Sequence, residues 1–464
     1  MAFHPLELLF PCLYLVLLLL IGFSGKKSDD CNSSFIAGGR RLTLPAFIAT
    51  LVTTWYGGIL GVGEFTYLYG ISNWIVFGLP YYLFAILYAV YLAPKIRIQQ
   101  GLTIPDQIHS EYGQCAGVLS AVCTFFMTLP APYIVMLGLL ISWMTGWNLV
   151  FSICLGTAFS MLYVLAGGFN AVVRTDKLQF ILMFGGFIAL LFVLVTQYGG
   201  LTYLKSTLPV NHLTASGGNS FSYILVWYLI AVWTFVDPGF HQRCSAAKSP
   251  KVARKGILIS ILFWLVFDLM TTSAGLYARV LLPDLENSAL SFPILGHQVL
   301  HPLVSGLFLT GLLATIMSTI DSLTLLSSIS IGHDLLSRLK LNRLSPVANI
   351  RLGTAVTAMA AIAMAIWLPS VVGLWYIIGT LFIPPMLLPM LSSYFPRLAV
   401  SRNIIIANLV FGFTIPLVWL IAGIQSSGDL TNPIYPLGWQ PMFPGMAISL
   451  VLFMVGKNRA TSKR

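Results

Sequence analysis

The chain has 464 residues, 57% of them hydrophobic and only 8% charged, with a mean hydropathy of +0.87. Soluble domains carry about 25% charged residues, so this composition excludes a soluble globular protein and describes a polytopic membrane protein, one helical bundle organised by the bilayer. A net charge of +11 would suit a nucleic-acid ligand, but the placement of the basic residues gives it another meaning.

Apolar runs of roughly 17–25 residues, the length that crosses a bilayer, mark thirteen candidate spans. They fall near 5–23, 44–69, 72–93, 114–144, 148–166, 175–197, 221–239, 256–282, 302–332, 352–369, 371–393, 403–424 and 441–456. The first run contains Glu7 and is followed, not preceded, by basic residues, so it reads as an uncleaved span rather than a signal peptide.

Lys26, Lys27, Arg40 and Arg41 follow span 1, Lys95 and Arg97 follow span 3, and Arg174 and Lys177 open span 6. Arg243, Lys248, Lys251, Arg254 and Lys255 follow span 7. Arg338, Lys340, Arg343 and Arg351 follow span 9, and Arg397 and Arg402 follow span 11. Lys457, Arg459, Lys463 and Arg464 end the chain. All of these fall on one side, and the other holds only Lys205 and Arg279. Basic loops face the cytoplasm, which predicts a cell-membrane protein with its N-terminus outside and its C-terminus inside. The basic balance is therefore a topology signal, and nucleic-acid binding is unsupported. Cys12, Cys31, Cys115, Cys123, Cys154 and Cys244 show no metal-ligand spacing and require no disulfide. A sequon at Asn32-Ser-Ser34 would lie on the inner side, where it has no use.

Two spans are interrupted. Span 2 contains Gly57-Gly58-Ile-Leu-Gly61-Val-Gly63, and span 7 ends in Asp237-Pro238-Gly239. They are five spans apart and run in opposite directions, the pattern of broken helices at matching places in two inverted halves, which marks a midplane substrate site. The competing reading is that Gly57 and Gly61 permit close helix packing and that Pro238-Gly239 merely ends a helix. Trp55, Tyr56, Trp233 and Phe235 flank the breaks and would wall a cavity there, although belts and packing use most membrane aromatics. Glu64, Asp237 and Asp268 are intramembrane acids, each a candidate contact or a structural partner. For Asp237 the rival role is an ion pair with Arg243 at the inner surface.

Span 9 carries the most chemistry: Thr315-Ile-Met-Ser-Thr-Ile-Asp-Ser-Leu-Thr324. Thr315, Ser318, Thr319 and Ser322 share one helical face, and Asp321 lies beside Ser318 on its edge. Hydroxyls with a carboxylate are oxygen ligands for a hard cation. Two overlapping sets follow: the Thr315 carbonyl with Ser318 and Thr319, and Ser318 with Asp321 and Ser322. One helix face supplies too few oxygens to complete either set. Intramembrane Ser and Thr otherwise bond to their own helix or a neighbour. Asp176 opens span 6, and its spacing fits either an interfacial ion pair or a reach to span 9. No Walker, HExxH, GxSxG or dinucleotide motif is present, so an enzyme is unsupported.

In order along the chain, four stretches resemble the sodium/solute symporter family. They are Lys95-Ile-Arg-Ile-Gln-Gln-Gly-Leu-Thr-Ile-Pro-Asp106, Leu165-Ala-Gly-Gly-Phe-Asn-Ala-Val-Val-Arg-Thr-Asp-Lys-Leu-Gln179, Gln242-Arg-Cys-Ser-Ala-Ala-Lys-Ser249 with Ala253-Arg-Lys-Gly256, and Ser318-Thr-Ile-Asp-Ser322 with Asp334. The resemblance covers about residues 35 to 400. It implies an all-α leucine-transporter-type core of two inverted five-helix repeats, 44–197 (spans 2–6) and 198–400 (spans 7–11). An extra helix at 1–23, a cytoplasmic loop at 24–43 and two C-terminal helices at 401–464 complete the chain.

The resemblance also implies sodium as coupling ion, held by backbone carbonyls near Leu51 and Thr54 with Thr315, Ser318 and Thr319. A further sodium carries over onto Asp176, Ser318, Asp321 and Ser322. Thr53, Trp55, Tyr56, Gly57, Glu64, Trp233 and Asp237 are the expected substrate positions. Span 2 between Leu44 and Gly61 is shorter than the family pattern, and Gly58 stands where sugar carriers tend to have a polar side chain. The function expected is sodium-coupled import of a small organic solute by alternating access. Its alternatives are a proton-coupled carrier using Asp321 or Asp237, a channel, or a nontransporting sensor. Neither the solute nor the oligomeric state is legible.

Overall fold

The computed structural model describes residues 3–24, 32–99, 101–341, 344–428 and 433–461. Lys26, Lys27, Cys31, Arg343, Lys463 and Arg464 lie outside them. Among the described residues every regular element is helical, save one parallel bridge between Leu42 and Ala247.

Among the described residues, eleven helices are long and apolar enough to cross a membrane: Pro5–Phe23, Leu44–Tyr69, Trp74–Tyr91, Gln114–Thr145, Gly167–Tyr198, Phe221–Ala246, Pro250–Leu281, Pro302–Ser337, Pro346–Trp367, Val371–Tyr394 and Arg402–Ser427. These correspond to spans 1–4 and 6–12. Spans 5 and 13 are the shorter apolar helices Leu149–Leu165 and Met442–Lys457. Serine caps and first-turn prolines set several starts: Ser249 and Ser345 accept the N–H of Val252 and Ala348, ahead of Pro250 and Pro346.

Span 9 is the axis of the bundle. Of its most apolar stretch 83% is buried, against 28% for span 1 and 33% for span 12, which leave their outer faces to lipid. Span 6 runs along it, with spans 1 and 10 alongside. Between spans 5 and 6 the chain turns at Gly168, whose φ of 53° and contact with Phe35 leave no room for a side chain. In span 11, Pro389 withdraws the N–H that the Pro385 carbonyl would accept. Asn408 of span 12 supplies a donor there instead, at 2.9 Å, as the absence of water in a bilayer demands.

Both expected breaks are present. Span 2 is two α-helices, Leu44–Trp55 and Ile59–Tyr69, joined by a tight 3₁₀ turn at Tyr56–Gly58. Span 7 runs as Phe221–Ile230, a 3₁₀ stretch Ala231–Val236, extended Asp237, and Pro238–Ala246. Span 4 holds a third break, between Gln114–Met127 and Ala131–Thr145 at Pro130, which the sequence reading did not anticipate.

Candidate functional site

The three breaks meet at one cavity of about 180 Å³. Span 2 contributes Leu51, Thr54, Trp55, Tyr56 and Gly58; span 4 contributes Met127, Leu129 and Tyr133; span 7 contributes Trp233, Asp237 and Arg243. Trp375 of span 11 and Asp268 of span 8 complete much of the wall. Aromatic rings brace one another behind it: Trp55 meets Tyr81 edge-on at 4.9 Å and lies tilted against Trp264 at 5.2 Å.

Of the expected substrate positions, Trp55, Tyr56, Trp233 and Asp237 face the cavity. Asp237 is fixed as the cap of Pro238–Ala246. Its Oδ1 accepts the Phe240 N–H and its Oδ2 the Trp233 indole N–H, both at 2.9 Å. Thr53, Gly57 and Glu64 are not among the lining residues. Thr53 donates its hydroxyl to the Ala49 carbonyl at 2.9 Å. Gly57 serves close approach: a Cβ there would fall within the side chain of Thr319. Glu64 sits in the second helix of span 2, beyond the break. Asp268 is buried and accepts a hydrogen bond from Tyr82.

The polar face of span 9 meets spans 2 and 6 beside the cavity. Thr319 donates to the Thr54 carbonyl at 2.6 Å, which joins the two elements expected to share a sodium. Ser318 donates to Asp176 Oδ1 at 2.6 Å, and Thr50 donates to Asp176 Oδ2. Asp176 is thus fully buried and reaches span 9, so the interfacial ion pair is excluded. The Thr315 hydroxyl bonds back to the Gly311 carbonyl of its own helix at 2.7 Å.

The second expected set is divided. Asp321 turns to Tyr163 of span 5, which donates to its Oδ2, while its Oδ1 is buried without a hydrogen-bond partner. Ser322 turns instead to Thr54, at 2.9 Å, and to Arg243, at 2.8 Å.

Arg243 requires a correction. Counted by sequence as part of a cytoplasmic loop, it is completely buried, while Lys248, Lys251, Arg254 and Lys255 are exposed. Its Nη2 donates to Thr50, Thr54 and Ser322 and its Nη1 to the Gly239 carbonyl at 3.3 Å, so its hydrogen-bond partners are hydroxyls and a carbonyl rather than Asp237.

A profile of the sodium:solute symporter family matches residues 35–394. The chain belongs to the sodium:solute symporter family. Sodium-coupled symport of a small solute is its activity, and sodium is its coupling ion. The symporter is 27% identical to sodium/proline symporters of Staphylococcus aureus strains JH9 and Mu3, over 95% of its own length and 90% of theirs. Its fold superposes on a Na⁺-coupled sialic acid symporter in a substrate-bound outward-open state with TM-score 0.80, at 16% identity, covering 99% and 98% of the two chains. A nucleobase-cation-symport-1 family transporter in a closed conformation matches with TM-score 0.62 at 12% identity, over 94% and 97%. A leucine-transporter-type fold is thereby established.

At the end of the bundle where spans 7 and 9 finish, polar contacts hold the connecting segments together. Leu42 pairs with Ala246 and Lys248 through the backbone, and Gln242 donates to the Ile36 carbonyl at 2.8 Å. The short helix Ile104–Tyr112 is latched to the end of span 9: Arg338 binds Asp106 and lies 3.5 Å from Asp334, while Thr103 donates to Asp334 at 2.9 Å. Burial pushes the Asp106 carboxyl up, but the hydrogen bond from His333, the Arg338 charge and the Leu102 N–H outweigh it and hold the group below its ordinary range. Asp106, His333 and Asp334 have the side-chain types of a metal site, yet Arg338 already stands among them as the countercharge.

Proposed function

We propose that this symporter imports a small zwitterionic or cationic organic solute with sodium across the cell membrane, N-terminus outside and C-terminus in the cytoplasm. The two inverted repeats, 44–197 and 198–400, carry the cycle. Sodium lies where the Thr54 carbonyl meets Thr319, with Leu51 and Thr315 contributing carbonyls and Ser318 a hydroxyl. That meeting, at 2.6 Å and beside the cavity, is the observation that carries the reading. A cation there ties the broken span 2 to span 9, favours one access state, and raises solute affinity by reciprocal coupling.

Trp55, Tyr56, Trp233 and Asp237 contact the solute. A carboxylate among aromatic faces attracts a positive ammonium centre, and the cavity size suits an amino-acid-sized molecule, in keeping with proline-carrying relatives. Thr53, Gly57 and Glu64 support the site from outside the cavity. Ser318→Ala and Thr319→Ala each abolish sodium stimulation of uptake in proteoliposomes on this reading, and unchanged sodium dependence in both sinks it. A thermal-shift screen of amino acids, quaternary ammonium compounds and sugars, with and without sodium, tests the solute class; stabilisation by sugars alone would refute it.

A further inference from the structure

The cavity is lined by three charged side chains, Asp237, Arg243 and Asp268, and the first two are already compensated. Asp237 caps Pro238–Ala246, so the helix end, the Phe240 N–H and the Trp233 indole all offset its charge. Arg243 gives its hydrogens to three hydroxyls and the Gly239 carbonyl. Asp268 has no such support. It lies well inside the unbroken helix Pro250–Leu281, is only 6% exposed, and among the described residues forms no salt bridge with a lysine, arginine or histidine.

Its side of span 8 is held against the break of span 2. Trp264 and Phe267, on the turn before it, pack on Trp55 and Tyr56 with ring centroids 5.2 Å and 4.5 Å apart. Tyr82 of span 3 donates to Asp268 Oδ2. Tyr56, the other hydroxyl near the carboxylate, sends its proton to the Trp264 carbonyl at 2.7 Å. Among the described residues Oδ1 thus receives no hydrogen bond. A carboxylate at this depth is costly unless something pairs with it, and the cavity is the side from which a partner can arrive.

We propose that Asp268 receives the protonated nitrogen of the solute and that this nitrogen bears at least one hydrogen, so that the carrier selects protonated amines over quaternary ammonium compounds. The inference rests on the cationic or zwitterionic reading of the solute. An N–H aimed at Oδ1 makes a charge-assisted hydrogen bond among aromatic rings, where such bonds are strong. A quaternary centre has no hydrogen to give and meets the acid only through its methyl groups. Asp237 then touches the solute as a capped group, and the selectivity resides in span 8.

Binding to the purified full-length protein in sodium, by isothermal titration, compares two matched series. One is L-proline, N-methyl-L-proline and N,N-dimethyl-L-proline; the other is piperidine, N-methylpiperidine and N,N-dimethylpiperidinium. Wild type should lose at least about tenfold in affinity at the second methyl, which removes the last N–H. Asp268→Asn should weaken the N–H-bearing members at least about thirtyfold and flatten that step; Asp268→Glu should bring the step back. Asp237→Asn should keep the step, whatever its effect on overall affinity. A merely structural Asp268 would change the Tm but not the ratio between N-methyl and N,N-dimethyl compounds. A step that survives in a folded Asp268→Asn, or that disappears in Asp237→Asn, overturns the proposal, as does a wild type that binds the quaternary members as tightly as the N-methyl ones. Should Asp268→Asn fail to fold, the wild-type step and its survival in Asp237→Asn still decide. Binding of none of these compounds to wild type overturns the amine reading of the solute itself, and the proposal with it.

Discussion

Gly57→Ala tests whether the junction of spans 2 and 9 is the sodium position. An added Cβ would overlap the Oγ1 and Cβ of Thr319, a side chain only 2% exposed. Thr319 cannot yield without giving up its 2.6 Å bond to the Thr54 carbonyl. Overpacking of this kind costs about 1–3 kcal/mol, and the lost hydrogen bond about 1 kcal/mol more. Together roughly 2–4 kcal/mol act against the closed junction, which corresponds to a rise of about 30- to 700-fold in the sodium concentration for half-maximal uptake. Gly58→Ala is the control one residue away. Its Cβ would meet the Trp375 ring in the cavity, so it should raise the solute KM and leave sodium dependence nearly intact. A Gly57→Ala protein that transports with sodium half-saturation within threefold of wild type refutes the reasoning.

Three further outcomes follow from neighbouring contacts. Asp176→Asn removes the charge beside Ser318 and should raise the sodium requirement at least about tenfold, whereas Asp321→Asn, still able to accept from Tyr163, should leave it within about threefold; sodium titration of uptake separates them, and equal effects would count against the divided site. Tyr82→Phe strips the buried Asp268 carboxylate of its donor and should destabilise the protein by about 1–3 kcal/mol, read as a lower Tm in detergent; an unchanged Tm contradicts this. Arg338→Ala opens the inner latch and should speed alkylation of the buried Cys244, measured by mass spectrometry against denatured protein at the same pH. Because the Asp106 pKa is depressed, its contribution to the latch is complete above the ordinary carboxylate range and lost only as pH falls through the depressed value. Acidifying wild type from about pH 8 to 5 therefore leaves Asp106 charged, and any exposure of Cys244 over that interval must come from His333 and Asp334, which face Asp106 and Arg338 in the same latch.

Most spans were legible because length and apolarity are what a bilayer selects: eleven of the thirteen apolar runs are helices long enough to cross, and the other two are shorter apolar helices. The breaks of spans 2 and 7 announced themselves through glycine pairs and Asp237-Pro238. The break in span 4 did not, since Thr128-Leu-Pro130-Ala-Pro132 carries neither a glycine pair nor an acid to flag it. Within the site, helical periodicity placed Ser318, Thr319 and Asp321 on neighbouring positions, but which neighbour each would face depends on spans 2, 5 and 6, more than a hundred residues distant. Arg243 was misread because counting basic residues treats each as surface. Its immediate followers, Cys244, Ser245, Ala246 and Ala247, are small and uncharged, unlike the lysine-rich stretch after them, and that contrast was the available signal.

Span 1 is tied at several points to parts of the chain made much later. Tyr14 accepts from Gln179 at 3.0 Å, Arg174 donates to the carbonyls of Ile21 and Gly22, and Glu7 meets His297 at 3.1 Å across 290 residues of sequence. At synthesis rates of about 5–20 residues per second, the first helix waits about 15–60 s in the membrane before the last of these partners is translated. Throughout that interval the acid at its N-terminal end has no native counterpart. Biogenesis of this carrier thus depends on something keeping an early helix unpaired yet retrievable, and mutations along its buried face should reduce the yield of folded protein more than the turnover of each molecule that folds.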